Sequence, residues 1–172
     1  MYRLRHFFVC IRRLAHSYGF GIQSPTDYAF VRYVVNEHWP YYAYEQQEEV
    51  PWLQQKLGRL YFRLANWRQP SAMIKDEYQH FWEAGCRKTR FIDVISQVEL
   101  ARIDVADVDG WERLLPLCNE RSVVVVENIY RDWQRWHDIE QQTAVGTTFD
   151  LYLCGIVFFD IKRAPHHYII NF

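Results

Sequence analysis

The spacing of hydrophobic residues divides the chain near residue 70. Before that point, apolar residues recur every three or four positions, which is typical of amphipathic helices. Helices are predicted over residues 3–16, from Pro25 to a point before Pro40, and from Pro51 to near Trp67. Ser24 is the expected N-cap of the second helix, with Pro25 at its first position. The residues expected to face inward are Phe30, Val31, Val34 and Val35, followed by Leu53, Leu57, Leu60, Tyr61 and Leu64.

The first predicted helix is both apolar and basic. Its apolar stripe would dock it on the domain, which is the favoured interpretation. The alternative is a basic amphipathic helix that lies on a membrane surface. The stripe consists of Leu4, Phe7, Phe8, Ile11 and Leu14, and the arginines largely outside it are Arg3, Arg5, Arg12 and Arg13.

From residue 71 onward, short apolar runs alternate with helical segments. Val123–Val126 form an unbroken β-branched run, which is typical of a central parallel strand covered on both faces. Short connections predict an antiparallel hairpin near the end of the chain. Strands are predicted at 72–74, 91–95, 101–105, 122–127, 147–152, 155–161 and 167–172. Helices are predicted at 78–84, 111–117 and 131–142, with Gly85 just beyond the end of the first.

This order of elements predicts an α/β sheet with an N-terminal helical cap. The cap would span residues 1–70 and the sheet residues 71–172, as one compact unit. A chain of 172 residues is long enough for such a core.

The composition excludes several classes of protein. The net charge is −1, so no overall field favours nucleic acid or a membrane. The four cysteines form no C-x-x-C pair, which argues against a disulfide framework or a zinc site. The apolar run from Phe7 to Ile11 is too short for a signal peptide or a membrane span. These features predict a cytoplasmic protein without a metal centre.

Several segments together resemble a family of bacterial class I S-adenosylmethionine-dependent methyltransferases. Residues 19–25 are GFGIQSP and residues 40–45 are PYYAYE, where the family carries GFGxHSP and PYYAxE. Residues 60–66, LYFRLAN, are similar to the helix before its first strand. Residues 122–130, SVVVVENIY, resemble its SVVVFDDIxW strand, and residues 148–159, TFDLYLCGIVFF, its TIDLFxxGIVFF hairpin. The resemblance implies a doubly wound, Rossmann-like sheet with an antiparallel last strand and a cofactor crevice at the carboxyl ends of the first strands.

The residues at the implied S-adenosylmethionine site depart from the family pattern. The first strand of the family ends in an acid followed by glycines, which let the backbone approach the ligand. Here Lys75 stands at the acid and Glu77 at the first glycine. The acid that binds the ribose in the family falls on Ile95, which cannot accept a hydrogen bond. Asp76 and Asp93 are the nearby acids and the candidates for cofactor binding.

Two later acids match the family better. Asp104 corresponds to the acid that ends its fourth strand, and Glu127-Asn128 replace the Asp-Asp pair after its fifth. In metal-dependent relatives such a pair helps to hold a divalent cation, but two ligands alone do not make a site. Asp104 and Glu127 are therefore the candidate catalytic residues, positioning an acceptor or a metal.

Chain length predicts a shortened sheet. A parallel βα unit takes about 24 residues. Residues 72–127, 56 in all, have room for little more than two such units, whereas the resembled fold places four there. The gap from Ile95 to Ala101 cannot hold a helix and a strand, so we expect the third strand to be missing.

Two functional hypotheses follow. The favoured one is a non-catalytic or weakly active relative that acts through a protein partner or a homodimer, with the aromatic segment 39–44 as a contact surface. The alternative is an active methyltransferase with an altered S-adenosylmethionine pocket that acts on a small hydroxylated acceptor. Asp104 and Glu127 would position that acceptor.

Overall fold

The computed structural model describes residues 2–42, 44, 50–162 and 164–172. Its α-helices are α1 (Tyr2–Arg12), α2 (Pro25–Phe30), α3 (Trp52–Arg68), α4 (Gln79–Gly85), α5 (Val108–Leu114) and α6 (Trp133–Glu140). Helix α2 continues as a π-helix over Val31–Val35. Short 3-10 helices cover Leu14–Gly19, Leu115–Leu117 and Ile129–Arg131.

Seven strands among the described residues form a mixed α/β architecture. They are β1 (Ala72–Ile74), β2 (Arg90–Ile92), β3 (Leu100–Asp104), β4 (Val123–Glu127), β5 (Thr148–Asp150), β6 (Cys154–Phe158) and β7 (His167–Ile169). Strands β1 and β2 form a parallel pair, and the other five form a sheet in the order β3-β4-β6-β5-β7. Within that sheet β3 runs parallel to β4, whereas β6 runs antiparallel to both β4 and β5. The predicted C-terminal hairpin is confirmed.

The strand count before β4 agrees with the prediction from chain length. Three strands precede β4 within residues 50–127, all of which are described, and residues 93–99 contain neither a helix nor a strand. Strand β1 contacts β3 but shares no ladder with it. Instead, the backbone N–H of Ser71 donates to the Glu99 carboxylate at 3.2 Å.

The large sheet separates two hydrophobic cores. Because side chains alternate along a strand, Val123 and Val125 point to one face and Val124 and Val126 to the other. The first face packs against residues of α2, α3 and α4, and the second against residues of α5 and α6. All four valines are buried, as expected for a strand covered on both sides.

The cap contains the predicted second and third helices. The Ser24 hydroxyl accepts a hydrogen bond from the Asp27 backbone N–H at 3.3 Å, so the N-cap prediction is confirmed. The buried Arg63 of α3 then donates to the carbonyls of Val34 and Val35 at 2.6 and 2.9 Å. These carbonyls lie at the end of a helix and lack partners within it, so Arg63 both caps α2 and fastens it to α3.

The predicted docking of α1 through its apolar stripe is wrong. The five stripe residues, from Leu4 to Leu14, are 48–66% exposed. The opposite side of the helix faces the body of the protein. There His6 packs edge-on against Trp52, with ring centroids 5.2 Å apart, and Cys10 donates to the carbonyl of Phe172 at 3.7 Å. Just beyond the helix, Arg13 forms a bidentate ion pair with Asp150.

Several element boundaries differ from the sequence prediction by a few residues, and two of these differences bear on the site and on helix packing. Strand β2 ends at Ile92 rather than residue 95, which leaves Asp93 outside it. Gly85 is the last residue of α4 rather than the residue beyond it. A Cβ at Gly85 would lie 2.2 Å from the carbonyl oxygen of Phe62, so glycine is needed there for the close approach of α4 to α3.

Among the described residues, no helix has the length and apolar character needed to span a membrane.

Candidate functional site

The four candidate acids follow or end four different strands. Asp76 follows β1, Asp93 follows β2, Asp104 ends β3 and Glu127 ends β4. Asp104 and Glu127 are register partners, so they lie side by side at the same edge of the sheet. The structure connects Asp76 to Glu127 through a residue that sequence analysis did not identify, Arg102, and leaves Asp93 apart.

Arg102 is the centre of the site. It lies in the middle of β3, and its side chain is only 11% exposed. Its Nε is 3.1 Å from Asp76 Oδ2, its Nη2 is 2.5 Å from Glu77 Oε1, and its Nη1 is 3.2 Å from Glu127 Oε2. The guanidinium also lies 4.9 Å from the ring centroid of Tyr78. Burial alone would lower the pKa of Arg102, but Glu127 and the other acids outweigh it and raise that pKa.

Glu127 is buried and fully engaged in this network. The hydroxyl of Tyr61, from α3, donates to one carboxylate oxygen, and Arg102 contacts the other. Burial raises the pKa of Glu127, while the charge of Arg102 and the hydrogen bond from Tyr61 oppose that rise. The pKa of Tyr61 is raised well above its ordinary value by burial and then by Glu127, so its hydroxyl stays protonated as a donor.

Asp76 organises the turn between β1 and α4. Its Oδ1 accepts from the backbone N–H of Tyr78 at 2.8 Å, and the indole N–H of Trp82 lies 3.1 Å from each carboxylate oxygen. With Arg102 on Oδ2, both oxygens already accept hydrogen bonds from the chain. These contacts indicate that Asp76 stabilises the turn between β1 and α4.

Asp104 is also held by its neighbours. One carboxylate oxygen accepts from the backbone N–H of Ala106 at 2.9 Å, and the other from the side-chain amide of Asn128 at 2.5 Å. Asn128 itself has a left-handed backbone, with φ of 59°. The adjacent side chains of Glu127 and Asn128 therefore have different partners. Glu127 contacts Arg102, and Asn128 donates to Asp104.

Asp93 does not join the site. Its side chain is 82% exposed and forms a surface ion pair with Lys75, whose ammonium nitrogen lies 3.1 Å from Asp93 Oδ1. The cause is the early end of β2, which leaves Asp93 in the segment after the strand. Exposed pairs of this kind contribute little to stability.

Each carboxylate of this network already has a partner within the chain. The cation of Arg102 is shared among three carboxylates, and Tyr61 and Trp82 donate to two of these. No group of three or more metal-ligating side chains occurs in the described part of the chain. Three cavities formed by described residues lie elsewhere, and none is lined by Asp76, Asp93, Asp104 or Glu127. These contacts favour a structural role for the network over one in acid–base chemistry.

Sequence analysis missed Arg102 although a signal was present. An arginine between Ala101 and Ile103 interrupts an otherwise apolar strand, and a buried charge needs a partner. The sequence also places acids at or just after the ends of several strands. Together these features could have indicated a buried arginine that pairs with those acids. Its partners span residues 76 to 127, and only the folded sheet brings them together.

The aromatic segment 39–44 is partly exposed. Trp39 is 73% and Tyr42 89% exposed, whereas Tyr44 is buried and packs against Phe62 with ring centroids 5.4 Å apart. Residues 43 and 45–49 lie outside the described residues, so part of the PYYAYE motif does too.

Comparison of the chain with protein-family models finds no match. Comparisons with curated proteins and with solved structures also find no significant match. The likeness to methyltransferases therefore depends on the quoted sequence segments.

Proposed function

We propose that this chain is a non-catalytic relative of class I S-adenosylmethionine-dependent methyltransferases that acts through interaction. The observation that carries the proposal is the position of Arg102. Its guanidinium contacts Asp76, which follows β1, and Glu127, which ends β4, at the edge of the sheet where the resemblance implies the cofactor.

The energetics of that position support the proposal. A ligand in the crevice would have to displace Arg102 from carboxylates that are themselves mostly buried. Breaking a buried ion pair by removing one partner typically costs about 3–5 kcal/mol. The turn after β1 adds a second obstacle, because Glu77 stands where the family has the first of the glycines that let the backbone approach a ligand.

The architecture is compatible with such an origin. The chain has parallel pairs β1-β2 and β3-β4, then an antiparallel hairpin, with one strand fewer before β4 than the resembled fold. Its four cysteines are free, which supports a cytoplasmic location.

The test is calorimetric titration of the folded protein with S-adenosylmethionine and S-adenosylhomocysteine. No heat of binding at millimolar ligand, with near-ultraviolet circular dichroism confirming a packed core, is the expected result. Binding in the micromolar range would overturn the proposal and favour an active methyltransferase. Transfer to a hydroxylated acceptor would then be compared between the wild type and the Asp104→Ala and Glu127→Ala variants.

A second candidate function, attachment to an anionic membrane surface, is favoured by the outward face of α1. Phe7 and Phe8 lie on its exposed apolar stripe, and Arg5 and Arg12 are exposed beside it. The first acid in the sequence is Asp27, so the charged side chains before it are all basic. Apolar side chains flanked by cations suit an interface with anionic lipids. Two copies meeting through this face would instead bring like charges together.

Co-sedimentation with vesicles tests this candidate. We expect the protein to pellet with phosphatidylserine-containing vesicles but not with pure phosphatidylcholine, and Phe7→Ser/Phe8→Ser to abolish pelleting. Arg5→Gln/Arg12→Gln should weaken it, whereas the exposed pair Arg87→Gln/Lys88→Gln serves as a charge-matched control. Equal pelleting of all variants would count against membrane attachment. So would sedimentation velocity that shows a dimer which the Phe7→Ser/Phe8→Ser or Arg5→Gln/Arg12→Gln variant dissociates.

A further inference from the structure

A cavity of about 480 Å³ lies between the segment after α2 and the first half of α3. Residues 35–41 line one side, residues of α3 from Trp52 to Arg63 line the other, and Phe172 contributes from the end of the chain. Its volume falls within the roughly 300–1,000 Å³ of small-molecule sites. The cavity shares no residue with the Arg102 network, so any binding there is independent of the proposed loss of the cofactor site.

The cavity is cationic. Lys56, Arg59 and Arg63 line it at spacings of three and four residues, which place them on one face of α3. The carboxylate among its lining residues is Glu37, whose oxygens both accept from the Tyr41 hydroxyl at 2.8–2.9 Å. Arg63 is already engaged, because it donates to two backbone carbonyls and to the Tyr44 hydroxyl.

Of the three cationic residues that line the cavity, Lys56 and Arg59 are the two that Arg63's contacts do not involve. Within the described residues, neither side chain has a carboxylate or carbonyl acceptor. They lie over aromatic rings instead, with Lys56 Nζ 4.1 Å from the Phe172 centroid and the Arg59 guanidinium 4.9 Å from that of Tyr44. Burial lowers the pKa of Lys56, so its charge is poorly solvated in the unliganded protein. A bound anion would offset that cost.

Two buried donors in the same cavity lack partners among the described residues. Asn36 is 6% exposed, and the Nδ2 of its side-chain amide has no hydrogen-bond acceptor in that part of the chain. The Nε of Arg59 is also buried and unsatisfied. Buried polar groups in folded proteins are nearly always paired, and exceptions call for an explanation such as a missing ligand. An oxygen-bearing ligand in the cavity would supply acceptors for such donors.

We propose that this cavity binds a small organic oxyanion, a phosphate monoester or a carboxylate. Lys56 and Arg59 neutralise its charge, and the Asn36 amide and Arg59 Nε donate hydrogen bonds to its oxygens. Tyr41 and Tyr44, which line the same cavity, offer an apolar surface to the organic part of the ligand.

Calorimetric titration at constant ionic strength tests the proposal with four probes: phenyl phosphate, benzoate, inorganic phosphate and neutral phenol. We expect at least one of the two organic anions to bind more tightly than inorganic phosphate, and phenol not to bind. Lys56→Gln and Arg59→Gln should each weaken that binding by about tenfold or more, as for the loss of a charged hydrogen bond. The exposed Lys88→Gln and Arg87→Gln are matched controls that should bind normally.

The Asn36→Asp variant provides an independent test of anion binding. It places a carboxylate where we expect the oxyanion, so it should abolish binding and raise the thermal unfolding midpoint of the free protein. Failure of both organic anions to bind at millimolar concentration would overturn the proposal. So would binding that Lys56→Gln and Arg59→Gln leave unchanged, or inorganic phosphate binding as tightly as phenyl phosphate.

Discussion

The guanidinium of Arg102 lies 3.2 Å from the carboxylate of Glu127, on the face of β3 and β4 that α3 and α4 cover. Both side chains are nearly excluded from solvent, at 11% and 7% exposure. Tyr61 from α3 and Asp76 from the turn before α4 complete the contact. The pair thus joins the sheet to the cap, where Tyr61 donates to Glu127, and to the first βα turn, where Arg102 contacts Asp76.

Arg102→Met should destabilise the protein by about 3–5 kcal/mol, because it leaves buried carboxylates without their cation. The free energy of unfolding from urea denaturation measures this change. The double variant Arg102→Met/Glu127→Gln should be more stable than the single variant, since it also removes one unpaired charge. Arg90→Met, at an exposed position, is the matched control and should cost little. A loss below about 1 kcal/mol for Arg102→Met, as at an exposed ion pair, would contradict a structural role for the network.

Arg13→Gln should loosen α1. Its Nη1 and Nη2 each lie 2.9 Å from one oxygen of Asp150, and Nη1 also lies 3.0 Å from the Asp150 carbonyl. We expect faster proteolytic cleavage within residues 2–20 and a loss of about 1–3 kcal/mol in unfolding free energy, as for charged hydrogen bonds. Arg12→Gln, at the exposed neighbouring position, should change neither. Equal protection of α1 in both variants would show that other contacts hold the helix.

Regular patterns in the sequence located most of the fold. The valine run 123–126, the Ser24 cap and the hairpin of β5 and β6 were predictable because each depends on local spacing and turn length. Periodicity also found α1 but assigned the wrong side to the protein. It identifies an apolar face without showing which other residues have partners elsewhere in the protein. Here these are His6, on the opposite face, which packs against Trp52, and Arg13, just beyond the helix, which pairs with Asp150.

The candidate site was predictable only in part. Asp76, Asp104 and Glu127 were identified and do lie at the ends of strands, but their shared contacts depend on distant residues. Tyr61 lies in a helix, 66 positions before Glu127 in the sequence, and Arg102 contacts acids from the turn after β1 and from the end of β4. Asp93 was placed in a strand that ends one residue earlier, at Ile92. Such differences arise from tertiary pairing, which a single sequence does not specify.

Stability should depend on pH through His6. Burial, and then the nearby charge of Lys56, lower the pKa of His6 from 6.5 to about 4. Between these values the unfolded chain binds a proton that the folded chain does not, so unfolding free energy falls as the pH falls through this window. Above pH 6.5 the contribution is constant. We expect His6→Gln to reduce the fall by about 1–3 kcal/mol in urea denaturation at a series of pH values. His80→Gln, at an exposed position, should follow the wild type; an identical slope for His6→Gln would contradict the shift.

Gly85→Ala should destabilise the contact between α3 and α4. The added Cβ would lie 2.2 Å from the Phe62 carbonyl oxygen and 2.9 Å from the Ala65 Cβ, and the backbone of α3 cannot move aside without disturbing its own hydrogen bonds. Overpacking of this kind typically costs about 1–3 kcal/mol. Helix propensity alone predicts the opposite sign, because alanine is favoured over glycine within a helix by up to about 1 kcal/mol. The sign of the change in urea denaturation therefore separates the two effects. Ala84→Gly controls for propensity, and a Gly85→Ala variant more stable than the wild type would refute the close approach of the two helices.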